Sequence, residues 1–210
     1  MESCPYCERL LETPYCCVSC GQVFSPERDP TPFEAFGLPL NYGVDTEELE
    51  RRLLRYSRLV HPDFFATASE EMRRTAEENS AALNGAFKIL TDDARRAEWV
   101  IEALGGPSGG DEKQLPREFL MEVLEWGEQI ETARQSPPGS QDRAGLDELM
   151  ATLSRRQQRS FDQLNTALVP PPEAADERLT EARRLLNAVS YLDRALTQLE
   201  ALRIEEASSR

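Results

Sequence analysis

All five cysteines of this 210-residue chain lie within its first twenty residues. Four of them form two C-x-x-C pairs, Cys4 with Cys7 and Cys17 with Cys20. Two thiolates at this spacing can reach one metal ion from a tight turn, and two such pairs supply the four tetrahedral sulfurs typical of structural zinc. Gly21, directly after the second pair, can adopt the positive φ that often closes such a turn. The pattern predicts a Zn²⁺ site that holds together a segment too short to bury a core.

Two alternatives remain open for these cysteines. Cys16 can replace Cys17 as a ligand at C-x-x-x-C spacing. Reduced thiols, or a thiol oxidoreductase that uses Cys4 and Cys7, are the other interpretations. An odd and clustered set favours metal over disulfides, and four thiolates leave no open position for a catalytic zinc. We therefore expect a structural site.

The second chemical feature is the chain's only histidine, His61, which Pro62 and Asp63 follow. Pro62 disfavours helical geometry at His61, so the triplet ends the preceding helix and places the imidazole in a loop between helices. A lone histidine is more often structural than functional, and no partner for nucleophilic catalysis accompanies it. At the end of a basic helix, however, a partner protein can recognise it.

The helix that positions this loop is predicted over residues 46–60, with Asp45 or Thr46 as its cap. Its apolar residues form one narrow stripe: Leu49, Leu53, Tyr56 and Val60. Its arginines lie opposite or beside that stripe: Arg51, Arg52, Arg55 and Arg58. A charged face is usually only solvated, but this one leads directly into the histidine loop. A following helix over about 70–90 presents Leu83, Phe87 and Leu90 and can pack antiparallel on the stripe.

The chain as a whole predicts a mainly α protein in four parts. These are a cysteine segment (residues 1–28), a helical region (31–104), a glycine-rich flexible linker (105–114) and three long helices that form a bundle (115–208). The middle and last helices supply the bundle with apolar residues: Leu146, Leu149, Leu153, Phe161, Leu164, Leu168, Leu185, Val189, Leu192, Leu196 and Leu199.

The first bundle helix, predicted over residues 116–134, has two apolar faces. One is expected in the core: Phe119, Val123, Trp126 and Ile130. The other comprises Leu120, Met121 and Leu124, with Glu125 and Glu128 beside it. A second apolar face is unnecessary for one contact, so it is either buried against another part of the chain or left for a partner. Tyr191, off the seam of the last helix, is expected to be exposed.

The overall charge limits the possible functions. The formal net charge of −14 disfavours sequence-independent nucleic-acid binding, which needs cations to replace the counterions of phosphates. No run of about 18 apolar residues occurs, so no membrane span is expected. The first residues resemble neither a secretory signal nor an Arg-rich transit peptide, which predicts a cytoplasmic location.

Residues 31–104 resemble a J domain, since the HPD loop ends a basic helix and is accompanied by FEAFGLP at 33–39 and ARRAEW at 94–99. HPDFFA at 61–66 and NGAFKIL at 84–90 are similar to the HscB branch, the J-type co-chaperones of iron–sulfur cluster biogenesis. The resemblance implies a helical hairpin with short flanking helices, a three-helix C-terminal bundle and, in some members, two N-terminal C-x-x-C pairs. It also implies that the HPD loop and the four arginines dock on a DnaK/HscA-class chaperone and stimulate its ATPase, so the chain itself is not an enzyme.

FLMEVLE at 119–125 resembles the segment by which HscB proteins bind the cluster scaffold IscU. Carried over by position, the resemblance implies this scaffold-binding set: Leu120, Met121, Leu124, Glu125, Glu128 and Tyr191. The chain departs from the family at Gly127, where a basic residue is usual, and at Phe64, Asp93 and Trp99, where Lys, Pro and Tyr are frequent. The expected function is delivery of the scaffold to the chaperone. The alternatives are a zinc-containing J-domain co-chaperone with another client and a nucleic-acid-binding zinc protein.

Overall fold

The computed structural model describes residues 3–109 and 115–209. The chain is mainly helical, as predicted, and divides into two compact units, Met1–Arg96 and Ala97–Arg210. The described residues contain no β-strand, and their two isolated β-bridges both lie in the cysteine segment. Residues 110–114, which belong to the predicted flexible linker, lie outside the described residues. None of the described helices is long and apolar enough to cross a membrane.

The first unit is built from short and medium helices. In chain order they are α1 (Pro32–Ala35), α2 (Thr46–Val60), a 3₁₀ turn at Pro62–Phe65 and α3 (Glu70–Thr91), after which α4 (Asp93–Ala103) begins. The Asp45 side chain caps α2 by accepting a hydrogen bond from the N–H of Glu48 at 3.0 Å. Pro62 ends α2 because it holds His61 in an extended conformation with a ψ of 127°. Both predicted ends of α2 are confirmed.

The core of the first unit lies between α2 and α3. The predicted stripes supply its buried residues: Leu49, Tyr56 and Val60 from α2, and Leu83 and Leu90 from α3. Phe36, directly after α1, fills the space between the helices, with its ring centroid 6.1 Å from that of Tyr56 and 6.5 Å from that of Phe87. Because this packing uses one side of α2, the opposite side is left to the arginines.

Arg96 fixes the start of α4 against the loop before α2. Its Nε donates to the carbonyl oxygen of Tyr42 at 2.8 Å, and its guanidinium lies 4.8 Å from the centroid of the Tyr42 ring. Its charge is balanced by an ion pair with Asp93. Asp93, which departs from the J-domain pattern, is therefore the acid that allows Arg96 to be buried.

The second unit contains the predicted three-helix bundle, formed by α5 (Arg117–Gln135), α6 (Leu146–Leu168) and α7 (Glu177–Ser208). A buried cluster joins the three helices: Phe119, Trp126, Ile130, Ala133, Leu153, Leu192, Leu199 and Leu202. The seam of α7 differs from the predicted one at its start, because Leu186 is buried and Leu185 only partly so. Leu179 and Ala182, which are also buried, continue the seam toward the N-terminus and shift its phase by one residue.

The first residues of the predicted linker are bound within the second unit. Arg183 of α7 is buried, and its Nε donates to the carbonyl oxygen of Pro107 at 2.7 Å. The same guanidinium pairs with Glu98 at 2.6 Å. Residues around Pro107 are therefore attached to α7 by a charge-assisted hydrogen bond, where composition alone suggested a free connector.

Candidate functional site

Each C-x-x-C pair lies in its own tight turn. In the first turn the N–H of Glu8 donates to the carbonyl oxygen of Cys4, and in the second the N–H of Gly21 donates to that of Cys17, both at 2.8 Å. Gly21 has the predicted positive φ, 77°, and Glu8 takes a φ of 60° at the equivalent position. Two turns of the same form therefore point their thiols toward a common centre.

The four predicted ligands meet at this centre. The Sγ atoms of Cys4, Cys7, Cys17 and Cys20 all lie within 4.8 Å of one another. The contacts between the turns are 3.5 Å from Cys7 to Cys17 and 3.7 Å from Cys4 to Cys20. Four sulfurs around one point match the donor set of a tetrahedral metal site, so these residues can hold one metal ion.

The thiols in this group differ in pKa because their hydrogen-bond partners differ. Burial raises the pKa of Cys17, but the N–H groups of Cys20 and Ser19 and the thiol of Cys7 outweigh it and lower that pKa to about 6. For Cys7 the backbone N–H of Arg9 acts to lower the pKa, yet burial and the neighbouring thiols outweigh it and raise the pKa to about 12. A cation is the species that allows all four sulfurs to be thiolates together.

Cys16 has a different position. Its side chain is fully buried outside the four-sulfur group, and burial, followed by the charge of Cys17, raises its pKa to about 12. A neutral and buried thiol behaves as a small apolar core residue. The structure thus selects Cys17 between the two ligands that the spacing left open.

The cysteine segment is attached to the helices of the first unit by buried polar contacts that sequence reasoning missed. The hydroxyl of Thr13 donates to the carbonyl oxygen of Ala35 at 2.8 Å. The amide of Asn79, buried in α3, donates to the carbonyl oxygens of Phe24 at 2.8 Å and Tyr15 at 3.4 Å. The sequence signal was the position of Asn79 on the same face of α3 as Leu83, four residues later, because a polar side chain on an apolar face needs a partner from elsewhere in the fold.

Glu12 of the segment contacts both the turn after α1 and the helix α2. Gly37, in that turn, has a φ of 61°, and a Cβ on it would overlap the carbonyl oxygen of Glu12, so only glycine permits this approach. The Glu12 carboxylate forms an ion pair with Arg55. One of the four predicted docking arginines is therefore bound to the cysteine segment.

The histidine loop is open to solvent. The side chains of His61 and Asp63 are both exposed, and the N–H of Asp63 donates to Nδ1 of His61 at 3.3 Å. Because Nδ1 accepts this bond, the neutral imidazole carries its proton on Nε2, which remains available to a partner. Phe64 is also exposed, with its ring edge-on to the imidazole at a centroid distance of 6.2 Å.

The four arginines of α2 fall into two groups. Arg51, Arg55 and Arg58 are exposed, whereas the Arg52 side chain is only 27% exposed. Arg52 donates to the carbonyl oxygen of Phe36 at 2.8 Å, which ties α2 to the end of α1. Arg52 and then Arg51 bind the Glu48 carboxylate and hold its pKa below the usual value. Arg52 is thus the least exposed of the four and is bound to a backbone carbonyl at the end of α1, whereas Arg55 is bound to the Glu12 side chain of the cysteine segment.

The second apolar face of the bundle is exposed. Its members, named here the bundle patch, are Leu120, Met121, Leu124 and Tyr191. Tyr191 of α7 joins it to α5 by lying edge-on to Phe119 at a centroid distance of 6.2 Å. Glu125 and Glu128 are exposed beside it, as predicted. An apolar surface with a carboxylate rim is a typical protein-binding surface.

Arg156 of α6, which periodicity did not single out, contacts the core-facing aromatic residues of α5, the helix that carries most of the bundle patch. Its guanidinium lies 4.9 Å from the Phe119 ring centroid and 5.4 Å from that of Trp126, and it pairs with Glu122. A partly buried cation over two aromatic rings adds a directional contact to the apolar packing of α5 on α6. It fixes the rotation of α5 and hence the side on which the bundle patch lies.

Comparison with known proteins gives consistent matches. A family model described as the HSCB C-terminal oligomerisation domain matches residues 115–200. A co-chaperone protein HscB homolog of Pasteurella multocida is 30% identical over 177 residues, which cover 83% of this chain and 96% of the relative. Another from Shewanella halifaxensis is 32% identical over 169 residues, covering 80% of this chain and 95% of the relative.

Solved structures with the same fold extend the match. The crystal structure of human co-chaperone protein HscB aligns with a TM-score of 0.75 at 23% identity and covers 96% of this chain and 98% of that chain. Chaperone HscB from Vibrio cholerae aligns with a TM-score of 0.68 at 25% identity, over 84% of this chain and 99% of that one. With relatives of 30% identity or more matched along nearly their whole length, this chain belongs to the HscB family of co-chaperones.

Proposed function

We propose that this chain delivers an iron–sulfur cluster scaffold of the IscU type to a DnaK/HscA-class chaperone and stimulates the ATPase of that chaperone. The observation that carries the proposal is the exposed His61–Asp63 loop at the end of α2, in a chain of the HscB family that also exposes the bundle patch. The chain catalyses no bond making itself. We place it in the cytoplasm.

The chaperone contact is made by the loop and the basic side of α2. Exposed arginines attract an acidic surface and accelerate encounter, while the His61–Asp63 corner supplies a defined shape with an N–H donor and a carboxylate. Because the chain has a net charge of −14, an acidic partner surface is repelled by most of it and attracted by the basic side of α2. This difference also orients the approach of the partner. Docking at this loop promotes ATP hydrolysis in the chaperone.

The scaffold contact is made by the bundle patch. The patch has three apolar side chains from α5 and Tyr191 from α7, all exposed to water in the free chain. Apolar anchors that lose this water on binding supply most of the affinity of an interface. Glu125 and Glu128 on the rim select a partner with basic residues around its own apolar area. Binding both partners at once raises the local concentration of scaffold at the chaperone, and hydrolysis then traps it there.

The metal in the cysteine segment is, in this proposal, Zn²⁺ held by Cys4, Cys7, Cys17 and Cys20. It would offset two of the four negative charges of the thiolates and crosslink the two turns, a structural role without an open coordination position. The crosslinked turns present Thr13 and Glu12 to the helices of the first unit. The zinc therefore stabilises the unit that carries the histidine loop.

The proposal is tested by mixing the full chain with an IscU-type scaffold, an HscA-class chaperone and ATP, and measuring the scaffold retained on the chaperone. Wild-type chain should increase retention, whereas His61→Gln should not, although we expect it to bind the scaffold as well as the wild type does. Retention that is the same with and without the chain would contradict delivery.

A further inference from the structure

Leu54 is an exposed leucine on the basic side of α2. Its side chain is 63% exposed, whereas the apolar stripe of the same helix is directed into the core. Helical geometry places Leu54 about 130° around the axis from the centre of that stripe, so it does not belong to the helical hairpin. An exposed leucine does not contribute to the stability of the fold, because its apolar surface stays in contact with water.

The neighbours of Leu54 are the predicted docking residues. Arg51 precedes it by three residues and Arg58 follows it by four, so both lie next to it on the helix surface, with Cβ atoms about 5–6 Å away. His61 follows Arg58 by three residues at the end of the helix. Leu54, Arg58 and the histidine loop therefore form one continuous strip on the exposed side of the first unit.

The ion pairs of α2 single out Arg58 within this strip. Arg51 and Arg52 both bind Glu48, at 3.0 and 2.8 Å. Arg55 is paired with Glu12. Among the residues that the structure describes, no acid forms an ion pair with Arg58. An arginine that must first leave an internal carboxylate gains less from a partner, so Arg58 is the cation most available to one.

We propose that Leu54 is the apolar anchor of the chaperone-docking surface and that Arg58 is its principal cation. The inference rests on the proposed function and specifies its partner: an acidic surface on the chaperone with an apolar depression that receives Leu54 and a carboxylate that pairs with Arg58. Charge complementarity with the arginines and continuity with the histidine loop identify this occupant. Burial of Leu54 removes water from around the ion pair, which strengthens the attraction at the same distance.

The experiment measures the concentration of full-length chain that gives half-maximal stimulation of an HscA-class ATPase. Leu54→Ala should raise it about tenfold, as expected for the loss of a buried leucine side chain at an interface. Leu10→Ala is the matched control, since Leu10 is an equally exposed leucine (63%) of the same unit. It should leave the concentration unchanged.

Two further variants separate apolar contact from folding. Leu54→Met keeps an apolar side chain and should behave like the wild type, whereas Leu54→Gln keeps the length and the helix propensity and should behave like Leu54→Ala. Equal activity of the Gln, Ala and wild-type chains would overturn the inference, as would an equal loss in Leu10→Ala. His61→Gln separates the inference about Leu54 from the proposed function. If this variant stimulates the ATPase normally, the proposed function itself fails, whatever the result for the Leu54 variants.

Discussion

The two surfaces proposed for partner binding are opposite in chemistry. The strip on α2 is charged, with one leucine among arginines, and ends in a small polar loop. The bundle patch is apolar, with carboxylates only at its rim. Charged surfaces favour fast and reversible encounter, whereas desolvated apolar anchors slow dissociation. The difference suits the proposed function, in which the chain stays bound to the scaffold while its contact with the chaperone is brief.

The largest expected effect comes from removing the apolar anchors of the bundle patch. The double variant Leu120→Ala with Leu124→Ala should weaken scaffold binding about 100-fold, because truncated interface anchors each cost about 1–2 kcal/mol or more. Titration calorimetry with an IscU-type scaffold measures this. Stimulation of the chaperone ATPase without scaffold should be unchanged. Ile204→Ala, at another exposed apolar position of α7, is the control. An equal loss of scaffold affinity in this variant would contradict the assignment of the binding site to the patch.

Loss of the metal should act on the first unit and not on the bundle. Cys20→Ser removes one ligand without creating a core cavity, because Cys20 is exposed. We expect the first unit to lose about 2 kcal/mol of stability, a fraction of the free energy with which zinc binds thiolates. Hydrogen exchange of α3 amides against those of α6 measures the difference. Ser19→Ala is the neighbouring control. Faster exchange in α6 alone would show that the metal acts elsewhere.

Salt should separate the two contacts. Raising KCl from about 0.1 M to about 0.5 M shortens the screening length, so the affinity for the chaperone should fall about tenfold. Scaffold binding should change less than about twofold, since apolar burial is insensitive to screening. Surface plasmon resonance with each partner gives both values in the same buffers. An equal salt dependence of the two affinities would contradict the assignment of a charged surface to the chaperone and an apolar surface to the scaffold.

The smallest effect divides the arginines of α2. Arg58→Ala should weaken chaperone docking about fivefold with unchanged stability, as for one exposed charge pair in an interface. Arg52→Ala should instead lower the free energy of unfolding by about 1 kcal/mol, because it leaves the carbonyl of Phe36 without its donor. Urea unfolding and ATPase stimulation, measured on both variants, distinguish the roles. A reversed order would assign docking to Arg52.

Much of this could be predicted because the relevant signals are local. The cap at Asp45, the apolar stripe and Pro62 determine α2 within a few residues of sequence. The spacing of the cysteines likewise predicted the four-sulfur group, and periodicity found both faces of α5. In each case neighbouring residues along the chain determine the geometry.

The remaining features depend on contacts between distant residues. Asn79 holds the carbonyl of Phe24, 55 positions earlier, and Arg183 holds that of Pro107, 76 positions earlier. Neither pairing produces a period or a motif, because a backbone carbonyl accepts a hydrogen bond whatever its side chain. The choice of Cys17 over Cys16 is of the same kind, since it follows from which thiol lies beside the thiols of the first pair.

The most direct measurement is the steady-state ATPase rate of an HscA-class chaperone, titrated with this chain at a fixed concentration of IscU-type scaffold. We expect a saturable increase with the wild type and none with His61→Gln, whose circular dichroism spectrum and scaffold affinity should equal those of the wild type. An increase of the same size with both proteins would contradict a docking role for the histidine loop.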